Sequence, residues 1–396
     1  MYANAVFGIW PFIFEDYPIL KKIYDLYCKF TLTYYAFFIT TGYIKFFQLI
    51  TEFPLNVTEV MLNVSITFLY SCTFVRAKRM RNPRMLKNIQ NIMDYEKKIN
   101  DSKDEEMMKI LEYYAWQNKI VSQAFIITVI IVTSLFVVHP LGLDPVEKFD
   151  ARTNTTRTIK PLPLSSWFPF NEQVHYLPAY IWHIFDCYVG ASFVNNTDIF
   201  SFGLITFPLG QIVVLNHILA HFEDYVVKVQ KELGVERDEA SFVAFRECIL
   251  MHKNIIDYIY DMNYEMSMIA LMDFLQSSLQ LAAIVLELMF FEVNLFNTVY
   301  SFMFVICMLT RLFGYYWYAN EIIVESLNIP TSIWNGKWYE EPLKTQKMML
   351  IMMKKCSRPL TMDIGPFNIM SINTLIGILK ATYSYSMLIY RGKQKK

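Results

Sequence analysis

Of the six histidines, only two are spaced to act together. His217 and His221 are four residues apart, on one face of a helix, which is the spacing of a metal-ligating pair. His139, His175, His183 and His252 are scattered, whereas a membrane di-iron desaturase or hydroxylase would need several histidine clusters. No Gly-rich phosphate loop, no Gly-x-Ser-x-Gly elbow and no His-Glu-x-x-His occurs. The expectation is a protein that is not an enzyme, with no catalytic residue, resident metal or cofactor.

Two other patterns suit recognition and permeation. Tyr176, Tyr180, His183 and Cys187 share one helical face, as do Tyr300, Phe304 and Cys307, and Met61, Ser65 and Phe68; Thr133, Phe136 and Val137 end another apolar run. Aromatic walls with a few polar groups fit a small apolar ligand, with Thr133 and Ser65 as hydrogen-bond donors. The same stripes also arise from core packing and an interfacial aromatic belt. Near the C-terminus, Thr374, Gly377, Ala381, Ser384, Leu388 and Gly392 recur every three or four residues as a narrow face of mostly small side chains, with Lys380 beside it. Small residues favour close helix packing. A mid-span lysine facing lipid would cost several kcal/mol, and this points to water or a partner instead.

The elements that carry these residues belong to a bilayer. Hydrophobic residues make up 54% and charged residues 18% of the 396, with 32 Phe and 26 Tyr, and mean hydropathy is +0.27; soluble domains carry about 25% charge. With 36 basic and 36 acidic residues, nothing suggests a nucleic-acid partner. Apolar stretches near 31–50, 58–76, 120–139, 175–195, 270–291, 298–318 and 367–390 approach the roughly 20 residues of a spanning helix. Apolar sequence continues from Ile199 to Ala220 across Pro208, reading as one helix that leaves the membrane and runs into the cytosol. The fold class is therefore an all-α polytopic membrane protein with seven transmembrane helices.

The chain opens without a basic segment ahead of an apolar run, so no cleavable signal peptide is expected. With the N-terminus cytosolic and the C-terminus extracellular, 25 of the 36 basic residues fall inside and eight outside. The Asn154-Thr155-Thr156 sequon then lies in the long outer loop, where Asn154 is open to glycosylation. None of the six cysteines falls in an outer loop, which excludes a disulfide framework. In the cytosol, Phe242, Phe245, Ile249, His252, Ile256 and Ile259 form a seam that wants a partner, within the chain or in another subunit. Met348 to Met353 is apolar on every side, as in a buried helix.

The C-terminal third resembles the insect odorant receptor family. Arg358-Pro359-Leu360-Thr361-Met362-Asp363-Ile364-Gly365-Pro366-Phe367 is similar to that family's passage into its last span, and Ile378-Leu379-Lys380-Ala381-Thr382-Tyr383-Ser384-Tyr385-Ser386 to its final helix. Trp334-Asn335-Gly336-Lys337-Trp338-Tyr339, Gly8-Ile9-Trp10-Pro11 and the outer-loop tract Leu162 to Phe170 are similar to family sequence too. The resemblance implies an odorant-specific subunit that joins co-receptor subunits in a heterotetrameric cation channel at the plasma membrane of olfactory sensory neurons. A small volatile odorant would bind in the outer leaflet, against Ser65, Phe68, Thr133, Phe136, Val137, Tyr176, Tyr180, His183, Tyr300 and Phe304. The last helix would line the pore with Gly377, Ala381, Ser384 and the gate-like Leu388.

The resemblance also implies a domain order. Residues 1–30 form a cytosolic N-terminal segment, 31–220 the first four spans with outer loop 140–172, and 270–318 spans five and six. Residues 221–269 and 319–366 form cytosolic anchor helices, and 367–396 the pore-lining helix with a short outer tail. Arg391 replaces a frequent family Gln, and a positive charge at a cation pore's mouth raises its barrier; one copy among co-receptor subunits fits better than four copies. Only Gly234 to Ala240 breaks the helical pattern between spans four and five, unlike the long insertion of the co-receptor. A gustatory receptor of the same superfamily would be expected to keep the Gln, and a transporter to show an internal repeat or broken helix pair.

Overall fold

Backbone polar groups in lipid have no water to bond, and a chain of long apolar runs therefore satisfies them within helices. The computed structural model describes Gly8 and residues 17–51, 57–102, 104–143, 145–150, 155–290 and 295–394. Its helices are α1 (Pro18–Thr51), α2 (Val57–Met80), α3 (Pro83–Ser102), α4 (Glu105–Val138), α5 (Tyr176–Ala220), α6 (Phe222–Leu233), α7 (Arg237–Phe290), α8 (Leu295–Asn335), α9 (Leu343–Lys355) and α10 (Ile372–Gln394). Two antiparallel hairpins interrupt them, β1 (Val146–Asp150) with β2 (Thr155–Ile159), and β3 (Asp363–Ile364) with β4 (Asn368–Ile369).

All seven apolar stretches fall on helices: α1, α2, α4, α5, α7, α8 and α10. By length and composition alone, Glu105–Gly142, Tyr176–Ala220 and Thr298–Asn335 could cross a membrane. α5 runs unbroken for 45 residues through Pro208. At 1.5 Å per residue that is about 65 Å, twice a hydrocarbon core of about 30 Å, as expected for a helix that continues beyond the membrane. From Val189 onward α5 is covered on every side, whereas its first turns bare Leu177, Ile181 and Phe185, α1 bares Phe30, Phe37 and Phe47, and α4 bares Ile127, Ile130 and Val138. An apolar belt of that kind needs lipid against it. The last helix begins at Ile372 rather than 367, because hairpin β3–β4 occupies the intervening residues. α1 begins at Pro18, inside the segment expected to precede the first span. Trp10 and Pro11 lie outside the described residues.

The largest core lies where the lower parts of α5, α7 and α8 meet α6 and α9. Phe222 and Phe245 meet edge-on with ring centroids 5.8 Å apart, and the Tyr258 hydroxyl donates to Leu204 O at 2.8 Å. Of the expected seam, Phe245, His252 and Ile259 are buried within the chain, while Phe242, Ile249 and Ile256 sit half-buried at its edge. α9 departs from expectation. Thr345, Met349 and Met352 are buried, but Leu350 and Ile351 are exposed, Ile351 at 71%; its apolar run is wider than the face the chain covers. Gly336 marks where α8 ends against α5: a Cβ there would lie 2.1 Å from Leu219 O. All six cysteines are buried and free, and burial pushes the thiol of Cys356, just past the end of α9, up to about 11.

Four helices are joined by charge. Arg76 of α2 bonds both Asp198 of α5 and Asp273 of α7. Arg311 of α8 holds Asp198 at 2.7 Å through Nε, Asp273 at 3.3 Å and Ser277 Oγ at 3.4 Å. The Tyr315 hydroxyl donates to Asp198 Oδ1 at 2.7 Å. Asp198 is fully buried, and Arg76 and Arg311 are nearly so. Removing one partner of such a set strands a buried charge, at about 3–5 kcal/mol. Asp198→Asn should therefore lower both the melting midpoint and the yield of monodisperse protein in detergent. Adding Arg311→Met restores neutrality and should recover part of the loss; equal damage in single and double variants would show that the charges are not coupled.

Candidate functional site

A cavity of about 130 Å³ lies directly above this charge set. α4 gives it a full stripe, Phe125, Val129, Val132, Thr133 and Phe136, at the spacing of one helical face. α2 contributes Ile66, Leu69 and Tyr70, α5 Cys187, Ala191 and Val194, α7 Gln280, and α8 Phe304, Cys307, Met308 and Arg311. Leu164, from the outer loop, also lines it. An apolar cavity of about 150 Å³ is enough to hold benzene, so this volume suits a small, mostly carbon ligand.

The outer loop is held across the top by hydrogen bonds to its backbone. Trp167 N donates to Thr41 O at 3.1 Å, and Asn63 Nδ2 donates to Ser165 O at 2.6 Å. Ser166 Oγ and His183 Nε2 are 2.7 Å apart, with the Phe168 ring 5.0 Å from the imidazole. These contacts fix Leu164 over the cavity while leaving the rest of the Leu162 to Phe170 tract outside the walls.

Of the ten residues expected to form the pocket, Thr133, Phe136 and Phe304 line the cavity. The other seven are placed around it. The Tyr176 hydroxyl donates to Pro161 O at 2.9 Å, the Tyr180 hydroxyl donates to Val137 O, and His183 is held by the loop. Tyr300 stacks between Phe136 and His139, with centroids at 6.1 and 5.6 Å. Ser65 donates to Leu62 O within its own helix, and Phe68 is half-buried. α2 is turned by about one residue, or roughly 100°, so that Ile66, Leu69 and Tyr70 face inward instead. Met61's side chain lies outside the described residues. Sequence reasoning missed Gln280 and Arg311; polar residues inside apolar spans were the available signal.

α10 rests on α7 and α8 through Ile378 and Thr382, both buried. Gly377 and Ser384 are exposed on the opposite side together with Lys380, and Ala381 is half-buried. A Cβ at Gly377 would meet nothing within 4 Å, and Ser384 Oγ donates to Lys380 O at 2.9 Å. Thr374 instead turns inward, donating to Ile369 O at 2.8 Å. Leu388's side chain and Asn154 lie outside the described residues. His217 Nε2 pairs with Glu106 at 2.8 Å, and among the described residues no cluster of three metal-ligating side chains forms.

Because Tyr180 braces Val137 rather than the cavity, Tyr180→Phe should cost about 1 kcal/mol through the lost hydrogen bond. It should lower the melting midpoint slightly and leave the ranking of ligands unchanged. A reordered ranking in dose–response measurements would place the Tyr180 hydroxyl at the ligand.

The fold and sequence both have relatives. The structure superposes on the insect olfactory receptor OR5 from Machilis hrabei, solved in complex with eugenol, with a TM-score of 0.77 and 12% identity, covering 98% of this chain and 96% of that one. Odorant receptor 10 of Aedes albopictus is 23% identical over 73% of this chain and 72% of its own length. Odorant receptor Or2 of Anopheles gambiae is 30% identical over 38% of this chain, a match that spans 39% of that relative. The sequence pattern described as 7tm odorant receptor matches residues 53–383. This chain, a polytopic helical membrane protein and not an enzyme, belongs to the 7tm odorant receptor family.

Proposed function

We propose that this chain is the odorant-binding subunit of a heteromeric, ligand-gated, non-selective cation channel in the plasma membrane of olfactory sensory neurons. The observation that carries the binding role is the cavity, lined by carbon and sulfur with very few polar atoms and bordered by Leu164 of the outer loop. An apolar volatile gains there by leaving water. Phe136, Phe304 and Thr133 form its selective wall, with Phe125, Val129 and Val132; Tyr176, Tyr180, His183 and Tyr300 hold that wall and its roof in place.

The permeation role is supported by α10, which is covered on one side and bare at Gly377 and Ser384, with Ala381 half-buried between them. Leu388 follows Ser384 by four residues in the sequence, the spacing of one helical stripe, and four such helices around an axis enclose a narrow path. The exposed Leu350 and Ile351 on α9 fit burial against a neighbouring subunit in a cytosolic anchor. Arg391 favours co-receptor subunits as the other members, since four copies would ring the mouth with positive charge. The basic excess sets the N-terminus inside and the C-terminus outside, with Asn154 on the glycosylated face.

Expressed alone, the chain should give no odorant-evoked current, and with co-receptor it should; robust gated current from this chain by itself would overturn the heteromeric reading. Phe136→Ala enlarges the cavity, and each methylene of fit is worth about 1–3 kcal/mol. The variant should reorder a panel of volatiles by about tenfold or more in half-maximal concentration, while current evoked by a co-receptor agonist is preserved. A uniform loss of every response would mark Phe136 as core only.

A further inference from the structure

The cavity wall has three conspicuous polar members, and they differ in what they leave available. Arg311 is engaged by Asp198, Asp273 and Ser277. Thr133 offers a small hydroxyl on α4. Gln280, from α7, lines the cavity and is 3% exposed; its Oε1 has almost no accessible surface and accepts no hydrogen bond among the described residues, so a turn of the amide about its soft terminal torsion is what presents that oxygen to the cavity. A buried carbonyl without a donor is destabilising, and a donor brought in by a ligand relieves it.

We propose that Gln280 is the specificity-determining residue of the cavity, its side-chain carbonyl accepting a hydrogen bond from the hydroxyl of a small apolar alcohol or phenol. This deepens the reading of the cavity as the odorant site and rests on it. The wall selects for the hydroxyl in three ways. A hydrocarbon or ether fills the volume but leaves Oε1 unpaired. A carboxylate would bring a charge into a cavity whose cation is already neutralised by two aspartates. An alcohol pairs its one donor and lays its carbon against Phe125, Val132, Phe136 and Phe304. Sites built to bond a hydroxyl discriminate strongly against analogues that lack it, because their own polar group is then stranded.

The test uses cells co-expressing the full chain and co-receptor, with hexanol, benzyl alcohol and cresol, each beside its methyl ether. Gln280→Met keeps side-chain length and removes both amide atoms. The proposal expects the alcohols to be the more potent activators. It also expects the variant to raise their half-maximal concentration by about tenfold, with the ethers shifting by less than about threefold. Surface labelling and current from a co-receptor agonist show that the variant is assembled. An equal shift for alcohols and ethers overturns the proposal, and if Phe136→Ala still reorders the panel the cavity reading stands without it. Water alone on Gln280 predicts that same equal shift. Responses altered by neither variant overturn both readings. Should Gln280→Met not reach the surface, the wild-type order decides: alcohols about tenfold more potent than their ethers support the proposal, and equal or inverted potency overturns it.

Discussion

The pairing of two arginines with two aspartates at the meeting point of α2, α5, α7 and α8 is the constraint on which the rest of the bundle depends. Each ion would be prohibitive alone in a low-dielectric interior, so the four must be brought together or not buried at all. Asp198 takes bonds from Arg76, Arg311 and Tyr315, and Asp273 takes bonds from both arginines. Apolar packing tolerates a helix sliding by a fraction of an ångström; a hydrogen-bonded network at these distances does not. The register of four helices is thereby set at one level. Above it, the helices leave the ligand-sized cavity; below it lies a smaller one of about 60 Å³ lined by Arg76, Asp273, Arg311 and Tyr315 among others. Arg311 borders both, as a floor to one and a ceiling to the other.

Most of the fold could be read in the sequence because bilayer helices announce themselves by length. Pro208 did not divide α5, since a proline removes one hydrogen bond and the surrounding helices bury that turn. What hydropathy could not convey is which neighbour covers an apolar residue. Met348 to Met353 reads as wholly buried, yet in this chain Leu350 and Ile351 are bare. The same ambiguity split the α7 seam into a covered row, Phe245, His252 and Ile259, and an edge row, Ile249 and Ile256. Hairpin β3–β4 escaped notice for another reason. Its two-residue strands are too short to show a period, and they are fixed by tertiary bonds such as Gly365 N to Ser267 O at 2.8 Å, with Gly365 at φ 55.

The candidate site was legible on α4 and less so elsewhere. On α4 the apolar face is continuous, so Thr133 and Phe136 were found directly. On α5 the conspicuous aromatics point at the outer loop and the end of α4, and hydrogen bonds to Pro161 O, Ser166 and Val137 O use their polar ends. The wall itself is built from the inconspicuous Cys187, Ala191 and Val194, which make room. On α5 the aromatic residues thus mark the site's surroundings, whereas Phe125 and Phe136 of α4 and Phe304 of α8 face its interior. On α2, a rotation of one residue moved Ser65 and Phe68 aside, and sequence periodicity gives spacing but not phase. The charge set did have a signal, in Arg76, Asp198, Asp273 and Arg311 with charges summing to zero, but only tertiary structure could pair residues so far apart in the chain.

α7 is where these features are drawn together. Gln280 borders the cavity, Asp273 lies seven residues and two turns below it in the charge set, and Ser267 and Asn263 hold hairpin β3–β4 at 2.8 and 2.9 Å. Lower still, Ser241 donates to Glu341 Oε2 at 2.6 Å and binds α7 to the turn before α9. The hairpin passes directly into α10, which packs along the same helix. In the channel reading, a ligand that draws on Gln280 therefore acts on a rod whose next fixed points are the charge set and the root of the pore-lining helix. A helix transmits axial and rotational displacement with little loss over two or three turns, because its backbone bonds resist stretching more than its side-chain contacts do. In that reading the path from the cavity to the root of α10 follows one continuous helix and passes the charge set that fixes its register.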